Sequence, residues 1–187
     1  MERKEFINKC SSCGALSLLA LFNIDKVTAQ ENTTKKDGSN SETMNKTQIR
    51  ELFKFIDSSI NESDKKKIFN ELGVACLYSR NYDKYLAKYK DNTDEYFNRV
   101  KRGESKYWDK LEYDKEKSVI TLIGKKSQTC NCEYGQCEKP PKSLCNYCCK
   151  RFQEELFGLL LGKKVTVRID ETVILGAERC STTIFVG

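Results

Sequence analysis

The chain of 187 residues contains no histidine, only two prolines and one tryptophan. Without an imidazole, no histidine is present to act as a general base or to bind a metal ion. A catalytic or metal site must therefore use thiols, carboxylates or amines, which excludes a cysteine hydrolase that depends on a histidine base. Long apolar runs are also scarce, since no stretch after residue 29 is long enough to cross a bilayer.

The first 29 residues have the pattern of a cleavable export signal. The basic segment RKEFINK at residues 3–9 resembles a bacterial twin-arginine signal, with lysine in the second basic position. It precedes the apolar run GALSLLALF at residues 14–22, and the small residues Val27 and Ala29 predict cleavage after Ala29. We therefore expect a periplasmic or otherwise exported protein without a membrane anchor, which follows either the twin-arginine or the general secretory route.

The charge of the chain is modestly positive. Its 33 lysines and arginines exceed its 27 aspartates and glutamates and give a formal net charge of +6. Basic and acidic residues alternate, as in residues 64–67 and 110–115, and no basic stripe contains interleaved aromatic residues. This pattern is typical of a solvated surface, and we expect no nucleic-acid binding.

The mature chain is predicted to form one domain after a short linker. Residues 30–44 are polar and lack apolar periodicity, which predicts a disordered linker. Residues 45–187 are predicted to form a single α+β domain, in which apolar residues first recur at helical spacing. The four helices are expected around residues 49–56, 63–77, 82–89 and 96–103.

From Tyr107 onward the apolar residues alternate as they do in β-strands. Two strands are expected on either side of the charged turn at residues 114–117. A helix capped by Ser143 is then expected to reach Leu161 and to end at Gly162. Two antiparallel strands, from Val165 to about Ile174 and from Cys180 to Val186, complete the predicted sheet.

Six of the ten cysteines occur in the segment CNCEYGQCEKPPKSLCNYCC at residues 130–149. Three of them lie in a predicted loop, and three share one face of the predicted helix at spacings of three and four residues. Such clustering favours a shared thiolate site or disulfides over isolated buried cysteines. Their spacing matches neither paired zinc knuckles nor ferredoxin motifs, so it does not identify a metal. The six residues are Cys130, Cys132, Cys137, Cys145, Cys148 and Cys149.

The expected compartment leaves two interpretations of these cysteines open. Cys10 and Cys13 belong to the predicted leader, so eight cysteines remain in the mature chain. In an oxidising space they would commonly form disulfides, for which Cys76 is a candidate partner. Export by a twin-arginine route weakens this argument for disulfides, because that route carries proteins already folded and often already loaded with a cofactor.

Motifs in the last third of the chain resemble the 4-vinyl reductase-like domain superfamily, which includes the L-2-amino-thiazoline-4-carboxylic acid hydrolase-like proteins. This resemblance implies an α/β or α+β small-molecule-binding module that is often a homodimer. The motifs are Leu144-Cys145, Cys148-Cys149, Phe157, residues 161–167 (LGKKVTV), Glu171-Thr172 and residues 175–180 (LGAERC).

The resemblance also implies a structural zinc site, because sensor members of the superfamily hold zinc with cysteines and a glutamate. The matching positions here are Cys148 or Cys149, Glu171 and Cys180. Thr172 occupies a position where some members have a further cysteine. The ligand set is completed from the nearby cysteines, Cys145, Cys137 or Cys132, with Cys130 in the same cluster. An iron-sulfur cluster fits these spacings less well than zinc.

Three functions are consistent with this sequence. We favour an exported small-molecule-binding or metal-binding module with a zinc site, followed by a hydrolase of the resembling type and by a disulfide-stabilised interaction protein. A small-molecule ligand would need an apolar pocket, for which aromatic residues are available. These residues are Tyr82, Tyr85, Tyr96, Phe97, Tyr107 and Trp108.

Overall fold

The computed structural model of the chain describes residues 38–187, apart from residue 138. The predicted export signal lies outside the described residues, as does the predicted linker before residue 38. Within the described range, we find no helix with the length and apolar character needed to span a membrane.

Four helices precede the sheet at the places where apolar periodicity predicts them. The first helix begins within the predicted linker, so residues 38–44 are helical and that part of the linker prediction is corrected. Polar residues can extend a helix whose apolar face is buried further along, since propagation is easier than nucleation. The four helices are α1 (Gly38–Ser59), α2 (Glu62–Ser79), α3 (Tyr82–Ala87) and α4 (Thr93–Lys101).

The rest of the described chain forms a four-stranded antiparallel sheet and a fifth helix, which confirms the predicted α+β class. The strands lie in the order β1-β2-β4-β3. A π-helical turn at Leu144–Cys149 continues directly into the fifth helix. The elements are β1 (Trp108–Asp114), β2 (Val119–Gly124), α5 (Lys150–Leu161), β3 (Val165–Glu171) and β4 (Ser181–Val186).

Strand β3 is shorter than the sequence predicts, because it ends at Glu171 and not near Ile174. The register of β3 against β4 shifts between Ile169 and Glu171. After this irregularity the hydroxyl oxygen of Thr172 accepts a hydrogen bond from the Leu175 backbone N–H at 3.3 Å. The bond favours a 3₁₀ turn over continued strand pairing.

The main core lies between the central strands and α5. Ile120 of β2 is paired with Ile184 of β4, and neither side chain is exposed to solvent. Apolar residues of α5, including Phe157 and Leu160, are buried in the same core. This arrangement follows from the alternating pattern of the strands and the apolar stripe of the helix.

A second, smaller core holds the cysteine-rich segment against the first two helices. Phe53 of α1 and Phe69 of α2 are buried together, with their ring centroids 5.6 Å apart. Leu144 and Cys148 of the π-helical turn complete this core. Tyr134 packs its ring edge-on against Phe53 at 5.4 Å, so the loop after β2 is also fixed there.

Helix α2 approaches the π-helical turn so closely that only glycine fits at position 73. A Cβ atom on Gly73 would lie 2.5 Å from the Cys148 carbonyl oxygen and 3.0 Å from the Phe152 backbone nitrogen. Real Cβ atoms essentially never make contacts this short. The turn that carries three of the cysteines therefore depends on backbone contact with α2.

We predict that Gly73→Ala destabilises the protein, because the added methyl group forces the two segments apart. The expected loss in the free energy of unfolding is about 1–3 kcal/mol, measured by urea denaturation. Alanine is more favourable than glycine in a helix by about 1 kcal/mol, so the steric cost of the added methyl group must exceed this gain.

Gly158→Ala is the matched control for this substitution. Gly158 also lies within a helix, but its Cβ would meet the Lys163 carbonyl oxygen at an ordinary 3.5 Å. This variant should be as stable as the original protein or more so. Equal stability of the two variants would contradict the proposed role of the Gly73 contact.

Candidate functional site

The π-helical turn separates cysteines that a regular helix would place on one face. Hydrogen bonds in such a turn span five residues, and single π turns within helices are frequent at functional sites. The Cys145 thiol interacts with that of Cys149 one turn further on. Cys148 lies between them in sequence, but its thiol interacts most strongly with Cys132 and Cys76.

Ser143 does not cap the helix as the sequence predicts. Its side chain makes no capping hydrogen bond, and its hydroxyl instead pairs with the Asp57 carboxylate of α1. The Ser143 backbone N–H also donates to this carboxylate at 3.3 Å. The start of the π-helical turn is thus tied to α1 and not closed by its own side chain.

Four thiols from three separate segments form the first group of the site. Cys130 precedes the short turn at Glu133–Gly135, Cys145 and Cys149 belong to the π-helical turn, and Cys180 immediately precedes β4. The Cys145 thiol interacts with the other three, and Cys130 also interacts with Cys180. We call these four residues the first thiol group.

Three further thiols form a second group beside the first. Cys76 comes from α2, Cys132 from the loop and Cys148 from the π-helical turn. The thiols of Cys76 and Cys132 both act electrostatically on Cys148, and Cys76 also acts on Cys132. We call these three residues the second thiol group.

Backbone amides lie beside the sulfur atoms of both groups. The Cys132 N–H donates to the Cys130 sulfur at 3.4 Å, while the amides of Tyr134 and Gly135 lower the pKa of Cys132 against the larger effect of burial. The amide of Val173 opposes the effect of burial on the Cys180 pKa in the same way. Amides in these positions stabilise the thiolate form of a cysteine.

The loop after β2 has glycine at position 135, where its backbone lies close to the Cys130 thiol. A Cβ atom on Gly135 would lie 2.9 Å from the Cys130 sulfur. The Cys130 carbonyl oxygen accepts a hydrogen bond from the Gln136 side chain at 3.0 Å. Glycine at this position thus allows the loop to close around Cys130.

The buried thiols are held in their protonated form. Interaction with the Cys145 thiol, followed by burial, raises the pKa of Cys130 far above its ordinary value. Burial is the main cause of a similar rise in the pKa of Cys148. A cysteine nucleophile needs the opposite shift, so these thiols do not have the properties of an activated hydrolase site.

Charged residues border the second thiol group. The Arg80 guanidinium lies near Cys76 and lowers its pKa, although burial of Cys76 has the larger, opposite effect. Arg80 also pairs with the Glu133 carboxylate at 3.3 Å. Lys46 pairs with the other oxygen of that carboxylate at 3.4 Å, and Arg50 donates to the Glu133 carbonyl oxygen at 2.6 Å.

Two of the sequence-predicted ligands lie apart from the thiol groups. Glu171 is exposed, and its carboxylate accepts a hydrogen bond from the Ser181 hydroxyl at 3.3 Å. The Cys137 thiol donates to the Tyr134 carbonyl oxygen at 3.8 Å. Thr172, which matches a cysteine position of the resembling superfamily, is buried and caps the 3₁₀ turn.

The other six predicted ligands interact electrostatically with one another, and so does a further cysteine that clustering in sequence does not indicate. The six are Cys130, Cys132, Cys145, Cys148, Cys149 and Cys180. The further cysteine is Cys76, which the sequence marks only as a candidate disulfide partner. No sequence pattern marks Arg80 as a site residue, although it lies four residues after Cys76, at the C-cap of α2.

All eight cysteines in the described part of the chain have free thiols. Within that part, no three cysteines, aspartates or glutamates already surround one point as the ligands of a metal ion would. The pKa values of Cys130, Cys145 and Cys148 are raised, so these thiols are neutral groups in the metal-free protein. Binding of a metal would require their protons to leave.

The aromatic residues considered for a ligand pocket mostly belong to the core. Tyr82, Tyr85, Tyr96 and Trp108 pack against the main core, and Tyr107 is exposed. Phe97 is buried beneath a shallow groove that Asp94, Asn98, Lys101 and Tyr113 also line. The thiol groups are therefore the stronger candidate for a functional site.

Comparison with known proteins assigns no family to the chain, because no family model and no curated protein matches it.

We predict that the buried Cys148 thiol makes the metal-free protein less stable at alkaline pH. In the unfolded chain this thiol ionises near its ordinary pKa of 9.0, whereas burial raises its pKa in the folded state. This contribution to the free energy of unfolding is present in full below pH 9.0, the pKa of the unfolded chain. Above that pH it falls by about 1.4 kcal/mol per pH unit. Cys148→Ala should remove this part of the fall in the free energy of unfolding with pH, which urea denaturation measures between about pH 8 and about pH 10.

The measurement requires a reductant and a chelator, so that neither disulfides nor metals contribute. Cys137→Ala is the matched control, since its thiol lies outside both thiol groups, and it should retain the alkaline slope of the original protein. Identical slopes for Cys148→Ala and the original protein would contradict the assignment.

Proposed function

We propose that the protein is a zinc-binding module and that the first thiol group, Cys130, Cys145, Cys149 and Cys180, supplies the zinc ligands. The observation that carries this proposal is the mutual interaction of four thiols that come from three separate segments. Zinc in structural sites takes four tetrahedral ligands, and four thiolates are a common set. No histidine is needed for such a site.

The chemistry of the surrounding backbone supports thiolate ligands. Metal binding replaces the protons of the thiols and removes the cost that burial places on free thiolates. The amides beside Cys130 and Cys180 would then donate to metal-bound sulfurs. Such second-layer hydrogen bonds orient metal ligands and tune their affinity.

The proposed ligand set modifies the one that the superfamily resemblance implies. It retains Cys149 and Cys180, and it uses Cys145 from the cysteines that the sequence offered as additional ligands. Cys130 takes the place of Glu171, whose carboxylate is exposed and bonded to Ser181. The zinc would join the loop after β2, the π-helical turn and the start of β4, so we propose a structural role for it.

We predict that Cys180→Ser lowers the zinc content of the full chain by one ion, because its loss leaves three of the four ligands. The protein should be prepared with reductant and without chelator. Native mass spectrometry gives the number of bound ions, and thermal unfolding should show a parallel loss of stability.

Two control variants make this measurement specific. Cys137→Ser removes a thiol outside both thiol groups, and Glu171→Gln removes the carboxylate that the resemblance implies as a ligand. Both variants should retain the original zinc content. Full zinc content in Cys180→Ser, or a loss in Glu171→Gln, would contradict the proposed ligand set.

A further inference from the structure

Strand β3 lies at one edge of the sheet, where β4 is its neighbour among the described strands. Alternate residues of such a strand direct their backbone N–H and C=O groups away from the sheet. The Lys164 carbonyl oxygen accepts a hydrogen bond from the residue that follows β4, whereas the Val167 N–H donates to the Glu154 carboxylate of α5 at 3.4 Å. Val165, Val167 and Ile169 therefore direct their backbone groups outward.

The segment that contains β3 is complementary in charge to itself. Residues 163–171 read KKVTVRIDE, with two lysines at the start and two acids at the end. If two such segments pair antiparallel around Val167, the lysines of each copy lie opposite the acids of the other. The register shift after Ile169 moves the acids by about one residue, so they still face the lysines. Opposite charges across two strands stabilise their pairing.

The backbone and the charges together specify one register. When Val167 lies opposite the partner's Val167, Val165 lies opposite the partner's Ile169, and the outward backbone groups of both copies find partners. A slide of two residues in one direction would place Arg168 opposite the partner's Arg168. The same slide in the other direction would place Arg168 opposite the partner's Lys164. Both alternatives set like charges against each other, which destabilises the pair.

The charged residues at the two ends of the segment are accessible for this pairing. Lys163 and Lys164 are exposed, and their side chains form no ion pair within the described residues. At the other end, the Asp170 carboxylate pairs with Arg168 of its own strand at 2.6 Å. The Glu171 carboxylate accepts one hydrogen bond, from the Ser181 hydroxyl at 3.3 Å. A second copy would therefore supply the two lysines with carboxylate partners.

A groove beside the start of β3 has room for an apolar side chain of the partner. Its volume is about 340 Å³, and Gly158, Leu159 and Val165 are among the residues that line it. The partner's Ile169 would lie opposite Val165, on the face of the sheet that packs against α5. Ile169 is only half-buried in the single chain, so pairing would cover its remaining apolar surface.

The Glu154 side chain covers the centre of this edge in the single chain. Its hydrogen bond from the Val167 N–H is long, at 3.4 Å, and the Arg151 guanidinium lies 3.8 Å from its other carboxylate oxygen. When the carbonyl oxygen of the partner's Val167 replaces the carboxylate, Arg151 can retain Glu154. Pairing thus exchanges one long hydrogen bond for a ladder of backbone bonds.

We propose that two copies of the chain pair antiparallel through β3 and form a symmetric dimer with one continuous sheet. The same segment of each copy, residues 163–171, makes the interface, as a two-fold axis requires. This inference does not rest on the proposed zinc site, because none of the zinc ligands lies in that segment.

Analytical ultracentrifugation of the full chain tests the dimer, with a reductant to prevent disulfides between chains. The original protein should reach twice the mass of one chain as its concentration rises. Two charge-reversal variants should each stay monomeric, because like charges then face each other. An equimolar mixture of the two should form a heterodimer, in which every lysine again faces an acid. The variants are Lys163→Glu with Lys164→Glu, and Asp170→Lys with Glu171→Lys.

Lys101→Glu with Lys106→Glu is the matched control. It changes the net charge by as much as the lysine reversal, but its residues lie at the end of α4 and just before β1, which forms the opposite edge of the sheet. This variant should remain dimeric. A monomeric original protein, dimeric charge-reversal variants or a mixture that fails to associate would overturn the proposed dimer. None of these results would affect the proposed zinc site, whose ion is counted separately.

Hydrogen exchange of the original protein gives a test that does not depend on the folding of variants. The amides of Val165, Val167 and Ile169 should exchange more slowly as the concentration rises, because their backbone ladder forms only in the dimer. The amides of Thr166 and Arg168 face β4 in the single chain and serve as internal references. Exchange of the Val167 amide at the same rate at every concentration would contradict the pairing.

Discussion

The close contact between α2 and the π-helical turn is the constraint on which the thiol cluster depends. At Gly73 the two backbones meet without an intervening side chain, and the Cys148 carbonyl oxygen fills the space. Phe69, one helical turn earlier, is fully buried in the small core with Leu144. Because this one interface aligns α2 with the turn, the Cys76 thiol acts electrostatically on Cys148 despite their separation in sequence.

Interactions between the thiols, together with burial, make their ionised forms costly. Raised pKa values keep Cys130, Cys145 and Cys148 neutral in the folded protein without a metal. Neutral thiols pack as small apolar residues, so the metal-free fold needs no counter-charge. A metal ion would change this balance, because it stabilises thiolates in surroundings that otherwise disfavour them.

Local sequence patterns were sufficient to predict most of the helices and strands, because apolar periodicity directly reflects burial. Much of the cysteine site was also predictable, since five of the seven cysteines in the two thiol groups lie within twenty residues. The π-helical turn was not, because tertiary contacts of Ser143 with Asp57 and of α2 with Cys148 determine it. Cys76 and Arg80 likewise join the site through the packing of α2, which no local pattern encodes.

A centre made only of thiols would make the fold sensitive to the redox state of its surroundings. Oxidation of neighbouring thiols to disulfides removes the groups that bind a metal, and bound zinc in turn protects thiolates by occupying their sulfur atoms. The order of these events matters in an oxidising compartment, because disulfides form readily there. Metal loading before exposure to such a compartment would therefore preserve the proposed centre, whereas delayed loading would place zinc binding in competition with disulfide formation.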